Sequence, residues 1–235
     1  MAAGRGIMLV AVLAAVLTGC GGGGKSATGT FTDSRDGTVY KTVEIGGKRW
    51  FAENLNYDVP NDTLDECYGN KCYKSGLHDT LVVDECYGNS AKSCAKYGRM
   101  YNWFAANIAC PAGWHLSDSS DWNTLMANVG GSETAGKKLK SKHGWKYNDL
   151  EKVSGNGTDK YGFSALPGGY YGTRIFAIDN PPDFHGAGRS GIWWSATNYG
   201  WGIAWNREMS SMVDFVREDG GDKNGNLFSV RCVED

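Results

Sequence analysis

Apolar and polar residues alternate along several short stretches of this chain, and turn residues separate them. Positions 38–45 are Thr-Val-Tyr-Lys-Thr-Val-Glu-Ile, an alternation that predicts a strand. Gly46-Gly47 is typical of a two-residue hairpin turn, so residues 48–51 should return beside the first strand. Four side chains of the first strand should share one face: Val39, Lys41, Val43 and Ile45. Further strands are predicted at 161–171, 192–197, 212–216 and 228–233, with turns at 219–222 and 224–226.

Helical spacing of apolar residues predicts two main helices. The first covers residues 95–107, where aromatic side chains crowd one face. The second begins after Ser117 and Asp118, whose side chains can accept hydrogen bonds from free amides, and it runs to about Val129. Its apolar face would consist of Trp122, Leu125, Met126 and Val129. A shorter helix is expected at 134–139.

The composition supports short strands and many turns packed by aromatic rings. The chain has 235 residues with 34 Gly, 5 Pro, 9 Trp and 12 Tyr, which is unlike a helical bundle. We therefore expect an α+β fold. The formal net charge of −2 gives no indication of a nucleic-acid partner.

The N-terminus has the organisation of an export signal. An apolar run at 7–17 has the length of a signal-peptide core, and Leu17-Thr-Gly-Cys20 resembles the lipobox of bacterial lipoproteins. This resemblance implies a signal peptide over 1–19, a lipid on Cys20 and a membrane as partner. Residues 20–32 would form a flexible tether and 33–235 the folded domain. The alternative is a secretory signal with an incidental cysteine.

By the sorting rule of some Gram-negative bacteria, Gly21 rather than Asp after the lipidated cysteine favours the outer membrane. The domain would then face the periplasm or the cell surface. Six cysteines remain beyond Cys20, and an even number in an oxidising compartment predicts disulfides.

Two of these disulfides are predicted from an internal repeat. Asp-Glu-Cys-Tyr-Gly-Asn occurs at 65–70 and again at 84–89, and another cysteine closes each copy. We expect local pairs Cys67–Cys72 and Cys86–Cys94. The competing interpretation is a zinc site built from these four thiolates. Cys110, at the entrance of the second main helix, has a possible partner in Cys232 of the terminal strand.

Catalytic patterns are sparse. The four histidines lie in no His-Glu-x-x-His motif, and Ser195 lies in no Gly-x-Ser-x-Gly turn. His115, between Trp114 and Leu116, is expected to be a hydrogen-bonded core residue. We therefore expect no catalytic residue, no metal ligand and no cofactor.

Several long motifs together resemble the Fibrobacter major paralogous domain, over about residues 40–235. Members are typically exported, often as lipoproteins. An additional repeat copy at 67–76 departs from the usual pattern. The matching motifs are Cys86-Tyr-Gly-Asn, 94–101 (Cys-Ala-Lys-Tyr-Gly-Arg-Met-Tyr), 110–116 (Cys-Pro-Ala-Gly-Trp-His-Leu), Trp122, 161–169 (Tyr-Gly-Phe-Ser-Ala-Leu-Pro-Gly-Gly), Trp193-Trp-Ser195 and 228–233 (Phe-Ser-Val-Arg-Cys-Val).

At a more distant level, the order of elements is similar to a C-type-lectin-like domain. That likeness implies short antiparallel strands, two helices, long loops and a long disulfide like Cys110–Cys232. The Glu-Pro-Asn, Gln-Pro-Asp and Trp-Asn-Asp motifs of calcium-dependent lectins are absent from the sequence. The related formylglycine-generating enzymes use a C-terminal cysteine pair with copper, whereas here Cys232 is the only cysteine after Cys110.

A binding face is expected from the long loop 174–191 and the segment 198–207. Aromatic rings beside carboxylates, amides and guanidinium groups can stack on sugar rings and bond their hydroxyls. Trp193 and Trp194 are expected in the core, while Trp201 and Trp205 could be core or exposed. The leading hypothesis is a non-enzymatic recognition or adhesion module for polysaccharide or envelope glycan; a structural or protein-interaction lipoprotein comes second and an enzyme third. The candidate ligand-binding residues are Arg174, Asp179, Asp183, His185, Tyr199, Trp201, Trp205 and Arg207.

Overall fold

The structure is a computed structural model that describes residues 27–60, 84–172 and 182–235. The predicted signal, Cys20, the pair Cys67–Cys72 and the candidates Arg174 and Asp179 lie outside these residues. The strands are β1 (Thr28–Thr32), β2 (Val39–Ile45), β3 (Lys48–Phe51), β4 (Asp84–Glu85), β5 (Met100–Tyr101), β6 (Trp114–Leu116), β7 (Tyr170–Gly172), β8 (Asp183–His185), β9 (Ser190–Gly200), β10 (Ile203–Ser210), β11 (Arg217–Asp222) and β12 (Cys232–Glu234). The helices are α1 (Ala91–Tyr97), α2 (Trp103–Ala109), α3 (Ser119–Asn128) and α4 (Ser132–Leu139).

A five-stranded antiparallel sheet in the order β1-β2-β3-β12-β6 separates two apolar clusters. The predicted Gly46-Gly47 hairpin joins β2 to β3, as the sequence indicated. Phe51 and Cys232 point into one cluster, while Trp50 and Val233, their neighbours in the chain, point into the other. The unbroken register of β2 keeps Val39, Lys41, Val43 and Ile45 on one face, as predicted, but only Val43 and Ile45 are buried there, whereas Val39 and Lys41 are exposed.

The predicted tether extends too far towards the domain. Residues 28–32, assigned to that tether, form β1 and pair with β2 from Thr28 opposite Val43 to Thr32 opposite Val39. Phe31 reaches the rings of Phe51 and Trp114, so the folded part begins before residue 33.

The helix predicted over 95–107 is wrong, because the chain forms two helices there with β5 between them. Gly98 ends α1 with a φ of 75°. A Cβ atom at Gly98 would lie 2.7 Å from the carbonyl oxygen of Leu55, so the backbone packs closely at this point. The described residues thus contain four α-helices, where two main ones and a shorter one at 134–139 were expected; the shorter one is confirmed as α4.

Helix α3 confirms the capping prediction for Asp118 but not for Ser117, whose buried hydroxyl makes no hydrogen bond to the described residues. The side chain of Asp118 accepts a hydrogen bond from the Asp121 amide at 2.8 Å, and the side chain of Asp121 accepts one from the Asp118 amide at 2.9 Å. This reciprocal pair is a capping box. The predicted apolar face is buried in full: Trp122, Leu125, Met126 and Val129.

A second sheet has the order β11-β10-β9. Two predictions in this region are wrong. Residues 212–216 form no strand, and residues 219–222, which were expected to form a turn, belong to β11. The structure contains disulfides Cys86–Cys94 and Cys110–Cys232, as predicted, and the second joins the end of α2 to β12. The fold class is α+β.

Candidate functional site

Strands β9 and β10 form a long hairpin whose tip carries a fully exposed tryptophan. Gly200 pairs with Ile203, so Trp201 and Gly202 make a two-residue turn. Their φ values are 47° and 82°, and positive values at both positions are typical of a type I′ turn. Trp201 is fully exposed, with a surface area of 103 % of the reference value for Trp. We call residues 198–205 the aromatic hairpin.

Two further rings stand beside this tip. Tyr199 is 58 % exposed, and its ring meets that of the half-buried Trp205 edge-on with centroids 4.6 Å apart. Aromatic rings prefer this arrangement, so each ring limits the other's rotation. The aromatic hairpin therefore combines one free indole with a fixed pair of rings.

Arg207 of β10 is buried next to the aromatic hairpin, which argues against its predicted role in ligand binding. The residue is 2 % exposed. Its guanidinium pairs with Glu218 on β11 at 2.7 Å and lies 3.4 Å from the amide oxygen of Asn123 on α3. Burial lowers the pKa of Arg207, and the Glu218 carboxylate offsets part of that shift. Its charge holds Glu218 in place and is not accessible to a ligand.

Lys223 is a supporting residue that the sequence analysis missed. Its ammonium group donates to the side-chain oxygen of Asn198 at 2.7 Å and lies 4.4 Å from the ring centroid of Trp103. Its amide donates to the carbonyl of Gly202 at 2.9 Å. Burial lowers the pKa of the Lys223 side chain. Lys223 thus binds the aromatic hairpin at two points, Asn198 on β9 and Gly202 in the turn.

The comparisons with known proteins place the chain in a family. The family model described as Fibrobacter succinogenes major domain matches residues 43–234. The chain belongs to this family. No curated protein and no solved structure matches it.

The other candidates of this Fibrobacter major domain lie on a different pair of strands. Asp183 and His185 belong to β8, whose partner is β7. Asp183 is exposed and its side chain accepts from the Phe184 amide at 2.7 Å. The half-buried His185 ring lies 5.5 Å from that of Tyr170. The structure thus brings Tyr199, Trp201 and Trp205 together on the aromatic hairpin, whereas Asp183 and His185 both lie on β8, in a different sheet.

Two tryptophans of the domain are core residues, as predicted. Trp193 and Trp194 are fully buried. Their indole N–H groups donate to the side-chain oxygen of Asn54 at 2.8 Å and to the carbonyl of Tyr101 at 2.7 Å. Buried indoles usually have such partners, so these rings serve packing and leave Trp201 as the exposed member of the segment.

His115 lies in a charged network at the edge of the first sheet, and the prediction of a core position is wrong. Its side chain is 38 % exposed. The two ring nitrogens lie 3.0 Å from Asp121 and 2.7 Å from Asp235. Lys48 also pairs with Asp121, which is buried. The network ties β3, β6 and the C-terminal strand to the start of α3.

Opposing effects set the ionisation of this network. Burial lowers the pKa of His115, but its bonds to Asp235 and Asp121 outweigh burial and raise the pKa above its ordinary value. Burial raises the pKa of Asp121, yet bonds from Lys48, the Asp118 amide and His115 hold it below its ordinary value. An imidazolium between two carboxylates is thereby favoured.

We expect His115 to make stability depend on pH. Its pKa is higher in the folded chain than in the unfolded chain, so its contribution is complete below the unfolded value of about 6.5 and disappears as pH rises through the folded value. The unfolding free energy of the wild type should therefore approach that of His115→Gln as the pH is raised. Urea unfolding of both proteins across this range measures the difference. A constant difference would contradict the assignment, and His143→Gln, which changes an exposed histidine, is the control.

The described residues show neither a metal cluster nor a spanning helix. Within 27–60, 84–172 and 182–235, no group of three His, Cys, Asp or Glu side chains could hold a metal ion. Cys86 and Cys94 are bonded to each other, which disagrees with the four-thiolate zinc alternative. In the same parts of the chain, no helix has the length and apolarity needed to cross a membrane.

Proposed function

We propose that the protein is an exported, lipid-anchored recognition module that binds polysaccharide or envelope glycan through its aromatic hairpin, without catalysing a reaction. Sugar rings have apolar faces that stack on aromatic rings and hydroxyls that bond to polar groups. The aromatic hairpin offers Trp201 and Tyr199 for stacking, and Glu218 and Asn123, which both contact Arg207 of β10, provide polar groups nearby.

The conformation of Trp201 carries this proposal. Asn, Asp and Gly are the usual residues at the first position of a type I′ turn, whereas a bulky residue with positive φ costs roughly 1–2 kcal/mol. An indole that is wholly exposed also gains nothing from burial. A residue that stabilises the fold neither locally nor by packing is best explained by contact with a ligand.

The C-type-lectin-like fold is part of the same proposal. Two features support it: the long Cys110–Cys232 disulfide and a Trp-rich β9 that precedes the terminal strand. Calcium is not part of the proposal because the sequence lacks the calcium-binding motifs of those lectins. Ligand binding would instead depend on stacking.

The anchor completes the proposal. The lipobox-like sequence before Cys20 supports attachment of a lipid there, and Gly21 supports sorting to the outer membrane, facing the periplasm or the cell surface. A membrane-held module with an exposed aromatic tip is suited to retaining a polymer near the cell. The repeat cysteines Cys67 and Cys72 are proposed to form the remaining local disulfide.

Replacing Trp201 with Asn tests the function. Asn-Gly is the preferred type I′ pair, so Trp201→Asn should raise the melting temperature by about 2–4 °C while reducing glycan binding about tenfold or more. The measurement is pull-down with insoluble cellulose, xylan, chitin and peptidoglycan, using purified protein in which Cys20→Ser prevents lipid attachment. Differential scanning calorimetry gives the melting temperature.

Leu150→Asn is the matched control. Leu150 is 82 % exposed and lies outside the aromatic hairpin, so its replacement removes apolar surface without changing the proposed site. Binding should be unchanged in this variant. If the wild type binds none of the polymers, the proposal fails, and a structural or protein-interaction lipoprotein becomes the better description.

A further inference from the structure

We infer that the aromatic hairpin selects uncharged polysaccharides and rejects polymers that carry carboxylates. This inference rests on the proposed function and adds a ligand class to it. It depends on where the charged side chains of β9, β10, β11 and the following turn lie. These segments carry three cations, at Arg207, Arg217 and Lys223, and four carboxylates, at Glu208, Glu218, Asp219 and Asp222.

Two of the cations are buried inside the structure. Arg207 is 2 % exposed and is paired with Glu218. Lys223 is 8 % exposed, and its ammonium group is held by Asn198 and the Trp103 ring. Neither group can reach a polymer lying on Tyr199 or Trp201 without giving up these contacts. Recognition of a carboxylate ordinarily needs an accessible guanidinium or ammonium group.

The third cation is at the other end of the second sheet. Arg217 pairs with Glu208 in the register, and its side chain lies 3.8 Å from the Glu208 carboxylate. The aromatic turn is at the opposite end of the same strands, where Ile203 pairs with Asp222. Arg217 therefore does not offset charge at the tip.

One carboxylate remains accessible beside the turn of the aromatic hairpin. Asp222 is exposed next to the turn, and one of its oxygens accepts from the amides of Asn224 and Gly225, so its position is fixed. Glu218 is partly exposed, but it is paired with Arg207 and lies next to Arg217, so it adds little charge at the tip. A polyanion at the turn would meet the like charge of Asp222, which salt screens with a Debye length of about 10 Å at 0.1 M. The net charge of −2 adds no general attraction for anions.

Polymers that share a backbone but differ in charge test the inference. Affinity electrophoresis and calorimetry would measure how tightly the Cys20→Ser protein binds each polymer. The first pair is hydroxyethyl cellulose and carboxymethyl cellulose, and the second is methyl-esterified and de-esterified polygalacturonate. The neutral member of each pair that binds should bind about tenfold more tightly at low salt, and the ratio should fall as salt is added. Asp222→Asn keeps the oxygen that caps the turn and should also reduce the ratio. Asp149→Asn, at another exposed aspartate, should leave it unchanged.

The outcomes separate this inference from the proposed function. Equal binding of neutral and charged polymers, or tighter binding of the charged ones, overturns the inference and leaves glycan recognition in place. A ratio that Asp222→Asn and salt do not change also overturns it, because charge at the tip would not be its cause. Binding of no polymer, charged or neutral, overturns the proposed function and the inference with it.

Discussion

Replacing both Cys110 and Cys232 with Ser is expected to lower the free energy of unfolding by about 5 kcal/mol, enough to unfold much of the protein at 37 °C. The bond closes a sequence separation of 122 residues, so its loss gives the unfolded chain far more freedom. It also fixes β12, which lies between β3 and β6 in the first sheet. Urea unfolding without reductant, followed by tryptophan fluorescence, gives the difference.

The short disulfide provides the matched control. Replacing both Cys86 and Cys94 with Ser opens a separation of only 8 residues and should cost about 2 kcal/mol. Both double variants remove one disulfide and leave no new free thiol, so the comparison isolates loop length and position. Equal losses in the two variants would show that Cys110–Cys232 does not hold the frame together.

Replacing Arg231 with Met should destabilise the protein by at least about 3 kcal/mol. Arg231 is fully buried, and burial lowers the pKa of its guanidinium to about 9. Its nitrogens donate to the Asn54 side chain at 2.8 Å and to the carbonyls of Phe51 at 2.9 Å, Phe163 at 2.6 Å and Ser164 at 3.1 Å. Methionine fills similar space but donates to none of these acceptors, although the Asn54 oxygen keeps its bond from the Trp193 indole.

Two further variants serve as controls for Arg231→Met. Arg217→Met removes an exposed arginine with one distant ion pair and should cost less than about 1 kcal/mol. Arg231→Lys keeps the charge but cannot reproduce a planar group that bonds two separate segments, 51–54 and 163–164, so most of the loss should remain. Chemical unfolding of the three variants measures the effect. A loss for Arg231→Met no larger than that for Arg217→Met would contradict the role assigned to the buried guanidinium.

The parts of the fold that the sequence predicted correctly depend on local chemistry. Gly46-Gly47 specifies its hairpin because both residues adopt positive φ, and Asp118 specifies the start of α3 because its side chain bonds a nearby amide. The error at 95–107 has a non-local cause, since Gly98 packs against the backbone of Leu55. Helical periodicity within the segment carries no information about that contact.

Strand β11 is a stronger example of an element that depends on non-local contacts. Its sequence, Arg-Glu-Asp-Gly-Gly-Asp, has neither alternation nor β-branched residues, and it forms a strand because β10 is available for pairing. A Cβ atom at Gly221 would lie 2.5 Å from the Phe228 ring and 2.8 Å from the Trp194 ring. The glycine that suggested a turn is needed for close packing over buried rings.

The sequence pointed to the aromatic residues of the candidate site more directly than to the arrangement of the charged ones. The density of rings in 198–207 predicted a stacking face but left Trp201 and Trp205 undecided between core and surface, and in the structure Tyr199 and Trp201 are exposed. Nothing in the sequence shows that Arg207 lies between α3 and β11, or that Lys223 donates to Asn198. Those positions depend on how distant segments pack, and they decide which charges a ligand can meet.

The pairing of β1 with β2 determines how the domain would respond to a pull from its anchor. Thr28, the first residue of β1, lies at the free end of the pair, while the connection to β2 is at Thr32. Tension applied through a lipid on Cys20, as proposed, would load the backbone bonds one after another from that end, so that mostly exposed β1 peels away first. The five residues of β1 would then extend by about 17 Å before the force acted on β12, which the Cys110–Cys232 disulfide holds. Detachment of β1 would thus lengthen the connection to the membrane and spare the rest of the fold when a bound polymer moves relative to the cell.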